Sequence, residues 1–480
     1  MEFVCTPDEM RAADERTIAA GTPEPVLMAR AASALAWAAR QLLGGTYGRR
    51  VVVVAGGGNN GGDGLLAADR LGALSVRVEC VRLDAFDREI FERALGRAHL
   101  VVDAMFGTGF RGALEGDAAF VVGALADSRV PVLAADIPSG VDGLTGAVAG
   151  PAVAATHTVC FAARKRGVCF EPGRTLAGMV TVADIGIEVP DPGVGVVTAA
   201  DVRGWLPARA VDANKWSNAV LVIGGSRGMT GAPVFVSQAA LRAGAGMVHC
   251  ALPGEAAVDA LAGAEVVLRA LPATDAGGFA TDAARVAVEA APRFGAVALG
   301  PGLGSDGRAV EMARRVIAEV AVPLVVDADG LNAMAGDLAP VRVRRTAGLP
   351  TPVLTPHDGE YTRLVGHPPG LDRVAAAREL ADAAQAVVLL KGPTTVVAAP
   401  DGRVALSLTG GPELATAGTG DVLTGMLAAF CARGMAVFEA AAAAAWVHGG
   451  AAQTAGPVGI VAHDLVSALA PTLERLDKEQ

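Results

Sequence analysis

At 480 residues the chain exceeds what one hydrophobic core supports, because single cores stop growing near roughly 250–300 residues, so at least two domains are expected. It is 52% hydrophobic, 19% charged and only 4% aromatic, enough to bury large cores and unlike a disordered scaffold. A net charge of −10 argues against a general nucleic-acid or membrane-surface binder.

In chain order, Thr6-Pro7-Asp8-Glu9 predicts a helix start, a capping box with proline at the first helical position. An Ala-rich helix is expected around 29–43. The β-branched runs 51–55, 75–83, 100–104, 130–135 and 158–161 then alternate with helical patterns, which predicts a mostly parallel sheet with helices on both faces. The Pro- and Gly-rich stretch Val189-Pro190-Asp191-Pro192-Gly193-Val194-Gly195 is the expected linker between domains 1–192 and 196–480. Beyond it the α/β pattern restarts with runs 219–223, 248–252, 296–299, 324–326, 353–355, 387–390 and 395–399. Ala-dominated helices at 421–431 and 436–448 are expected to close the chain, and no fixed-period repeat is visible.

Six cysteines show no CxxC or finger spacing and read as small buried hydrophobes in a reducing compartment. The segment MEFVCTPDEM has neither a basic n-region nor an apolar h-region, and a long uncharged stretch, 143–163, is broken by Pro151 and His157. A cytoplasmic protein is expected, with no nucleic-acid or membrane partner. Only Lys165, Lys215, Lys391 and Lys478 are lysines, the other 36 of 40 basic residues being arginine. Each internal lysine therefore marks a position to examine.

In the first half, Gly56-Gly57-Gly58-Asn59-Asn60-Gly61 satisfies G-x-G-x-x-G after a strand, with Glu79 near the usual acidic position. A tight turn without a ligand explains the same glycines. The amides of Asn59 and Asn60 and the Asp63 carboxylate, read as part of the loop, point beyond phosphate to sugar hydroxyls or a cation. Two more strand-end loops follow, Asp103-Ala104-Met105-Phe106-Gly107-Thr108-Gly109 and Asp136-Ile137-Pro138-Ser139-Gly140, where ligands bind in open α/β sheets. Lys165 follows a later strand and either meets a ligand or is a solvated loop charge.

The second half has no G-x-x-x-x-G-K-[ST] and so no P-loop. It has Ala417-Gly418-Thr419-Gly420-Asp421 before a helix, where backbone N–H groups and the helix dipole would cradle an anion. Asp421 there either favours the positive helix end or accepts a proton from a hydroxyl attacking a phosphate. Lys391-Gly392-Pro393-Thr394-Thr395 supplies a point charge and hydroxyls, and Gly300-Pro301-Gly302-Leu303-Gly304 exposes backbone. Asp327-Ala328-Asp329 and Thr355-Pro356-His357-Asp358-Gly359-Glu360 put acidic groups at strand ends, which suits Mg²⁺-bridged phosphates. His357, His448 and His463 each read as structural histidines on their own.

GNNGGDG, DAMFGTG, DIPSGVDGLTG and TVCFAARKRG resemble the NAD(P)H-hydrate epimerase family over nearly the whole first half. The resemblance implies a Rossmann-like α/β/α sandwich binding a damaged dinucleotide through Asn59, Asn60, Gly61, Gly62 and Asp63, and through Gly107, Thr108, Gly109, Phe110, Arg111, Gly112 and Ala113. It implies K⁺ held by Asn60, Asp103 and Ser139, and Asp136 is the candidate acid/base. VLVIGGS, MTGAPVF, ALRAGAG, LGPGLG, VDADGLN, LTPHDGE, LLKGPTTVV and AGTGDVLTGM resemble the ribokinase-like ADP/ATP-dependent NAD(P)H-hydrate dehydratases. That resemblance implies a ribokinase-like α/β domain. Lys391, Gly392, Pro393, Thr394, Thr395 and Gly420 would take ADP or ATP with Mg²⁺; Ala232, Gly302, His357 and Asp421 would meet the hydrated NADH or NADPH, with Asp421 as catalytic base. The family often has His-Lys-Gly where this chain has Asn214-Lys215-Trp216. The alternatives are a small-molecule kinase with a fused dinucleotide-binding regulatory domain, or a nucleotide-binding scaffold. Ala-rich helices favour a homo-oligomer.

Overall fold

The computed structural model describes residues 1–255 and 265–478. The chain divides into two compact units, Glu2–Gly195 and Val196–Gln480. Among the described residues no helix is long and apolar enough to cross a membrane.

In the first unit six parallel strands lie in the order Arg77–Arg82, Arg50–Ala55, Leu100–Ala104, Val132–Ala135, His157–Phe161, Met179–Ala183. Strands buried on both faces need apolar residues at nearly every position, which is why Arg50–Ala55 reads RVVVVA. Alternate residues feed two cores. Val51, Val53, Leu100 and Val102 pack with Leu35 and Ala39 of helix Glu24–Leu43 and Leu71 of helix Asn59–Ala73. Val52, Val54 and Val101 pack with Phe91 of helix Arg88–Leu95 and Val121 of helix Gly116–Asp127. Each such Val, Leu or Phe side chain contributes about 1.5–3 kcal/mol when fully buried. Helices therefore cover both faces, as expected. Strand order reverses between Arg50–Ala55 and Leu100–Ala104, the switch point where open α/β sheets bind ligands.

The helix Pro7–Ala19 carries the expected capping box between Thr6 and Glu9. The sequence reading missed strand Glu2–Cys5, which pairs in parallel with the two-residue strand Arg164–Lys165, and the half-exposed edge strand Met179–Ala183. Both are too short or too open to show a hydrophobic pattern. Five cysteines are buried, but Cys80 is exposed, because its edge strand turns most of its residues to solvent.

In the second unit the order is Val267–Leu271, Val248–Pro253, Val220–Ile223, Ala296–Leu299, Leu324–Val326, Val353–Leu354, Val387–Leu390, Thr395–Ala398, Val404–Ser407. The first seven are parallel and the last two form an antiparallel hairpin. The switch point here lies between Val220–Ile223 and Ala296–Leu299. One sheet face packs on helices Gly231–Arg242, Thr419–Ala432, Val437–Ala455 and Ala462–Lys478 through Val220, Val222, Ala298, Val236, Met426, Phe430, Ala444 and Leu469. Small residues let these helices meet backbone to backbone: a Cβ on Gly425 would lie 2.0 Å from Val236 O. The chain closes with Ala462–Lys478 rather than at the Ala-dominated helix. Pro471 inside that last helix is a breaker in any sequence pattern.

Candidate active sites

In the first unit a cavity of about 770 Å³ opens at the switch point. Two glycines bring its loops together: a Cβ on Gly56 would lie 1.9 Å from Met105 O, and one on Gly61 would lie 2.0 Å from Gly56 O. The helix begins at Asn59, capped by Gly58, so Asn59, Asn60 and Asp63 stand on its first turns rather than in a loop. Asn59, Asn60, Asp63, Gly107, Thr108, Gly109, Phe110, Arg111 and Asp136 line the cavity. Gly61, Gly62, Gly112 and Ala113 are not in its lining; Gly62 instead packs on Met28, which is. Glu79 is exposed on the edge strand, away from the lining. Met10, Arg11 and Asp14 of helix Pro7–Ala19 form a wall the sequence reading missed, because a capping box gives a helix but not its neighbours.

Asp136 ends strand Val132–Ala135 with φ +67°, an uncommon conformation for a residue with a side chain. Asp136 N donates to Val159 O at 2.8 Å, and Phe161 N donates to Asp136 Oδ1 at 3.0 Å. Lys165 Nζ lies 2.6 Å from the same oxygen and donates to Phe161 O and Ala163 O at 2.5 and 3.0 Å. Lys165 is only 2% exposed, so it is no solvated loop charge. Burial alone would depress its pKa; the Asp136 carboxylate and nearby thiols outweigh that and raise it. Asp63 is pushed up to about 8 by burial, with Asp136 and Asp14 adding repulsion.

Beside the cavity, Asp103 is fully buried and its carboxylate accepts from Ser139 N at 2.8 Å, Ser139 Oγ at 2.7 Å and Met105 N at 3.2 Å. Burial still raises it to about 6. Asn60 Nδ2 donates to Phe106 O at 3.0 Å, leaving Asn60 Oδ1 buried without a partner. An orphaned amide oxygen, a buried carboxylate without a counter-cation, a hydroxyl and the Phe106 carbonyl form an oxygen-only donor set. That chemistry fits K⁺. Among the described residues no group of three or more His, Cys, Asp or Glu is placed to hold a metal.

In the second unit the two switch-point loops also touch. Gly225 N donates to Pro301 O at 2.9 Å, and a Cβ on Gly300 (φ +126°) would lie 1.9 Å from Asp327 O. Gly302 (φ +67°) comes against helix Gly231–Arg242, where its Cβ would lie 3.5 Å from Ala232 Cβ. Asp327 Oδ1 holds Lys391 Nζ at 2.9 Å, and Asp327 Oδ2 accepts from Thr424 Oγ1 at 2.7 Å. Glu360 Oε2 stands 3.6 Å from the same ammonium. Burial works against charge on both partners of the Lys391–Asp327 pair; their attraction outweighs it, lowering the Asp327 pKa and raising that of Lys391. Asp329 accepts from Gly304 N at 2.9 Å and Asn332 Nδ2 at 3.1 Å. The acidic pair read as suited to Mg²⁺-bridged phosphates is thus committed inside the protein: Asp327 orients a lysine and Asp329 pins a loop.

Gly418 (φ +89°) caps helix Thr419–Ala432, and Thr419 Oγ1 ties the preceding loop through Leu414 O and Thr416 O at 2.8 and 2.9 Å. His448 Nε2 sits 2.9 Å from Thr419 O, and burial depresses its pKa to about 4, so a neutral ring holds the loop. A Cβ on Gly420 would lie 3.8 Å from Lys391 Nζ. Next to it, Asp421 makes no side-chain hydrogen bond to a described residue and is raised to about 7, by burial first and then by Asp327, against the pull of Lys391. His357 caps helix Asp358–Val365: its Nδ1 accepts from Gly359 N at 3.0 Å, Glu360 closes the capping box, and the rest of the ring is exposed. Lys391 is partly buried, Gly392 and Pro393 are exposed, Thr394 is buried, and Thr395 opens the hairpin. The loop at Lys215 is packed by Trp216, whose ring lies tilted against His249 and Phe294.

Residues 220–470 match the family described as NAD(P)H-hydrate dehydratase, and residues 24–89 and 84–167 match the YjeF-related protein N-terminus. The bifunctional NAD(P)H-hydrate repair enzyme Nnr of Moorella thermoacetica is 39% identical across 92% of this chain and 90% of its own. The protein of the same name from Salinibacter ruber is 42% identical across 82% of this chain and 75% of its own. Among solved structures, the Bacillus subtilis ADP/ATP-dependent NAD(P)H-hydrate dehydratase co-crystallised with ATP/Mg²⁺ is 29% identical. It covers 59% of this chain and 99% of its own, with a TM-score of 0.50. With likeness in both units and along nearly the full length, the chain belongs to the family of bifunctional NAD(P)H-hydrate repair enzymes.

Proposed function

We propose that the first unit interconverts the R and S forms of hydrated NADH and NADPH, and that the second dehydrates the S form at the expense of ADP or ATP. The observation that carries this is Asp421: a half-buried, unbonded carboxyl at a helix start, beside Gly420 and the Lys391 ammonium. A carboxylate so placed repels a resting phosphate but can take a proton from a hydroxyl that attacks one.

The C6 hydroxyl gives its proton to Asp421, and its oxygen attacks the terminal phosphoryl group as the bridging P–O bond breaks. Lys391 and the amides at Gly418–Gly420 hold the developing charge. The ring nitrogen then expels phosphate from C6, and loss of a proton from C5 gives the reduced nicotinamide, phosphate and AMP (or ADP). Lys391, Gly392, Pro393, Thr394, Thr395 and Gly420 bind the nucleotide, with Mg²⁺ accompanying its phosphates. Ala232, Gly302 and His357 face the hydrated ring. In the first unit Asp136 exchanges the proton of the C6 hydroxyl, held in place by Lys165. Asn60, Asp103 and Ser139 would hold K⁺, which supplies a fixed positive charge beside the cavity.

The test is to incubate mixed R and S hydrates with the protein and ADP or ATP, following reduced-nicotinamide absorbance and free phosphate. Full recovery from both epimers with matching phosphate is expected. A stable phosphorylated product, or no recovery, overturns the reading.

A further inference from the structure

Of the acidic residues that line the first unit's cavity, Asp14, Glu24, Asp63 and Asp136, Asp63 is the most buried. It stands on the opening turns of helix Asn59–Ala73, is 8% exposed, lines the same cavity as Asp136, and makes no side-chain hydrogen bond to a described residue. Asp136 is the contrasting case, bonded by Phe161 N and by a buried ammonium 2.6 Å away. Burial and the charges of Asp136 and Asp14 favour the protonated form of Asp63, raising it to about 8. Asp136 is thus tied to a cation and a backbone donor, whereas Asp63 faces the same cavity with no donor on its carboxyl, and an acid kept in that setting holds a proton it can give.

We propose that Asp63 is the proton donor of epimer exchange, working opposite Asp136 as acceptor. This rests on the reading of the cavity as the site of that exchange. The C6 hydroxyl is attached to the carbon that bears the ring nitrogen, so the ring opens without any oxidant or reductant. Asp136 takes the hydroxyl proton, the C6=O double bond forms, and the C6–N1 bond breaks with its electron pair returning to N1. N1 takes the proton of Asp63. The aldehyde rotates about C5–C6 and N1 attacks its other face. Asp63 then recovers its proton from N1, Asp136 returns its proton to the oxygen, and both residues end as they began.

The test is Asp63→Asn, a neutral isostere of the protonated acid that has no acidic proton to give. The expected result is a fall of at least about 100-fold in kcat for epimer exchange with KM within about threefold. The unchanged KM also shows that the cavity is folded. Run in oxygen-18 water, the wild-type reaction should return the opposite epimer with its C6 oxygen unlabelled. Retained kcat, a rise in KM alone, or stoichiometric label in the product would each overturn the proposal. If the wild-type chain exchanges no epimers, the reading of the cavity falls first; if it does and Asp63→Asn matches it, only the assignment of Asp63 falls.

Discussion

Replacing Asp421 by Asn should weaken the reaction and strengthen the fold at the same time. Burial, more than the neighbouring Asp327, pushes this carboxyl from the ordinary aspartate value of 3.8 up to about 7. At about 1.4 kcal/mol per unit, holding it ionised costs the folded state at most about 4 kcal/mol. The sign follows from a raised folded-state pKa. Below the unfolded value near 4 both states are protonated and there is no cost; it grows as pH rises and is complete above about 7. Water reaches part of the group, so a gain of roughly 1–3 kcal/mol for Asp421→Asn at about pH 8, vanishing near about pH 4, is the expected outcome. Denaturation followed by tryptophan fluorescence measures it, since Trp205, Trp216 and Trp446 all belong to the second unit. Dehydration should fall by about 10²–10⁴-fold, while the wild-type rate should drop about tenfold from its plateau near about pH 6 as the base is protonated. An unchanged or lower stability at pH 8, or dehydration within tenfold of wild type, would refute the assignment.

Lys391→Met strands Asp327 as a buried carboxylate and should cost about 3–5 kcal/mol; a loss below about 1 kcal/mol would show that the pair is not buried as described. Gly56→Ala drives a Cβ into Met105 O, so it should cost about 1–3 kcal/mol and abolish epimer exchange while dehydration of the S form continues. In the folded protein a maleimide should label one thiol per chain, Cys80; rapid labelling of a second would contradict the burial of the other five. Exchanging K⁺ for a bulky organic cation should slow epimer exchange, and Ser139→Ala should blunt that dependence, with both read by the same epimer assay.

The sequence carried those features set by neighbours in the chain. The Thr6–Glu9 capping box, the buried β-branched strands and the helix start at Gly418 depend on spacing of a few residues. It could not carry pairings made by the fold. Asp327 reads as a free strand-end acid until Lys391 and Thr424 are seen to occupy both its oxygens. Lys165 sits between two arginines in sequence, which suggests solvent, yet it is buried against Asp136. Asp14 carries no motif and enters the cavity only because helix Pro7–Ala19 closes one wall.

The short pairing of Val4 with Arg164 and Cys5 with Lys165 places the amino-terminal strand directly behind the lysine that grips Asp136. The match to the family model of the first unit starts at residue 24. A fragment cut at that border would keep every strand of the six-stranded sheet and every motif residue, yet lack the strand that fixes Lys165 and the wall formed by Met10, Arg11 and Asp14. The border drawn by the family model and the border of the cavity do not coincide.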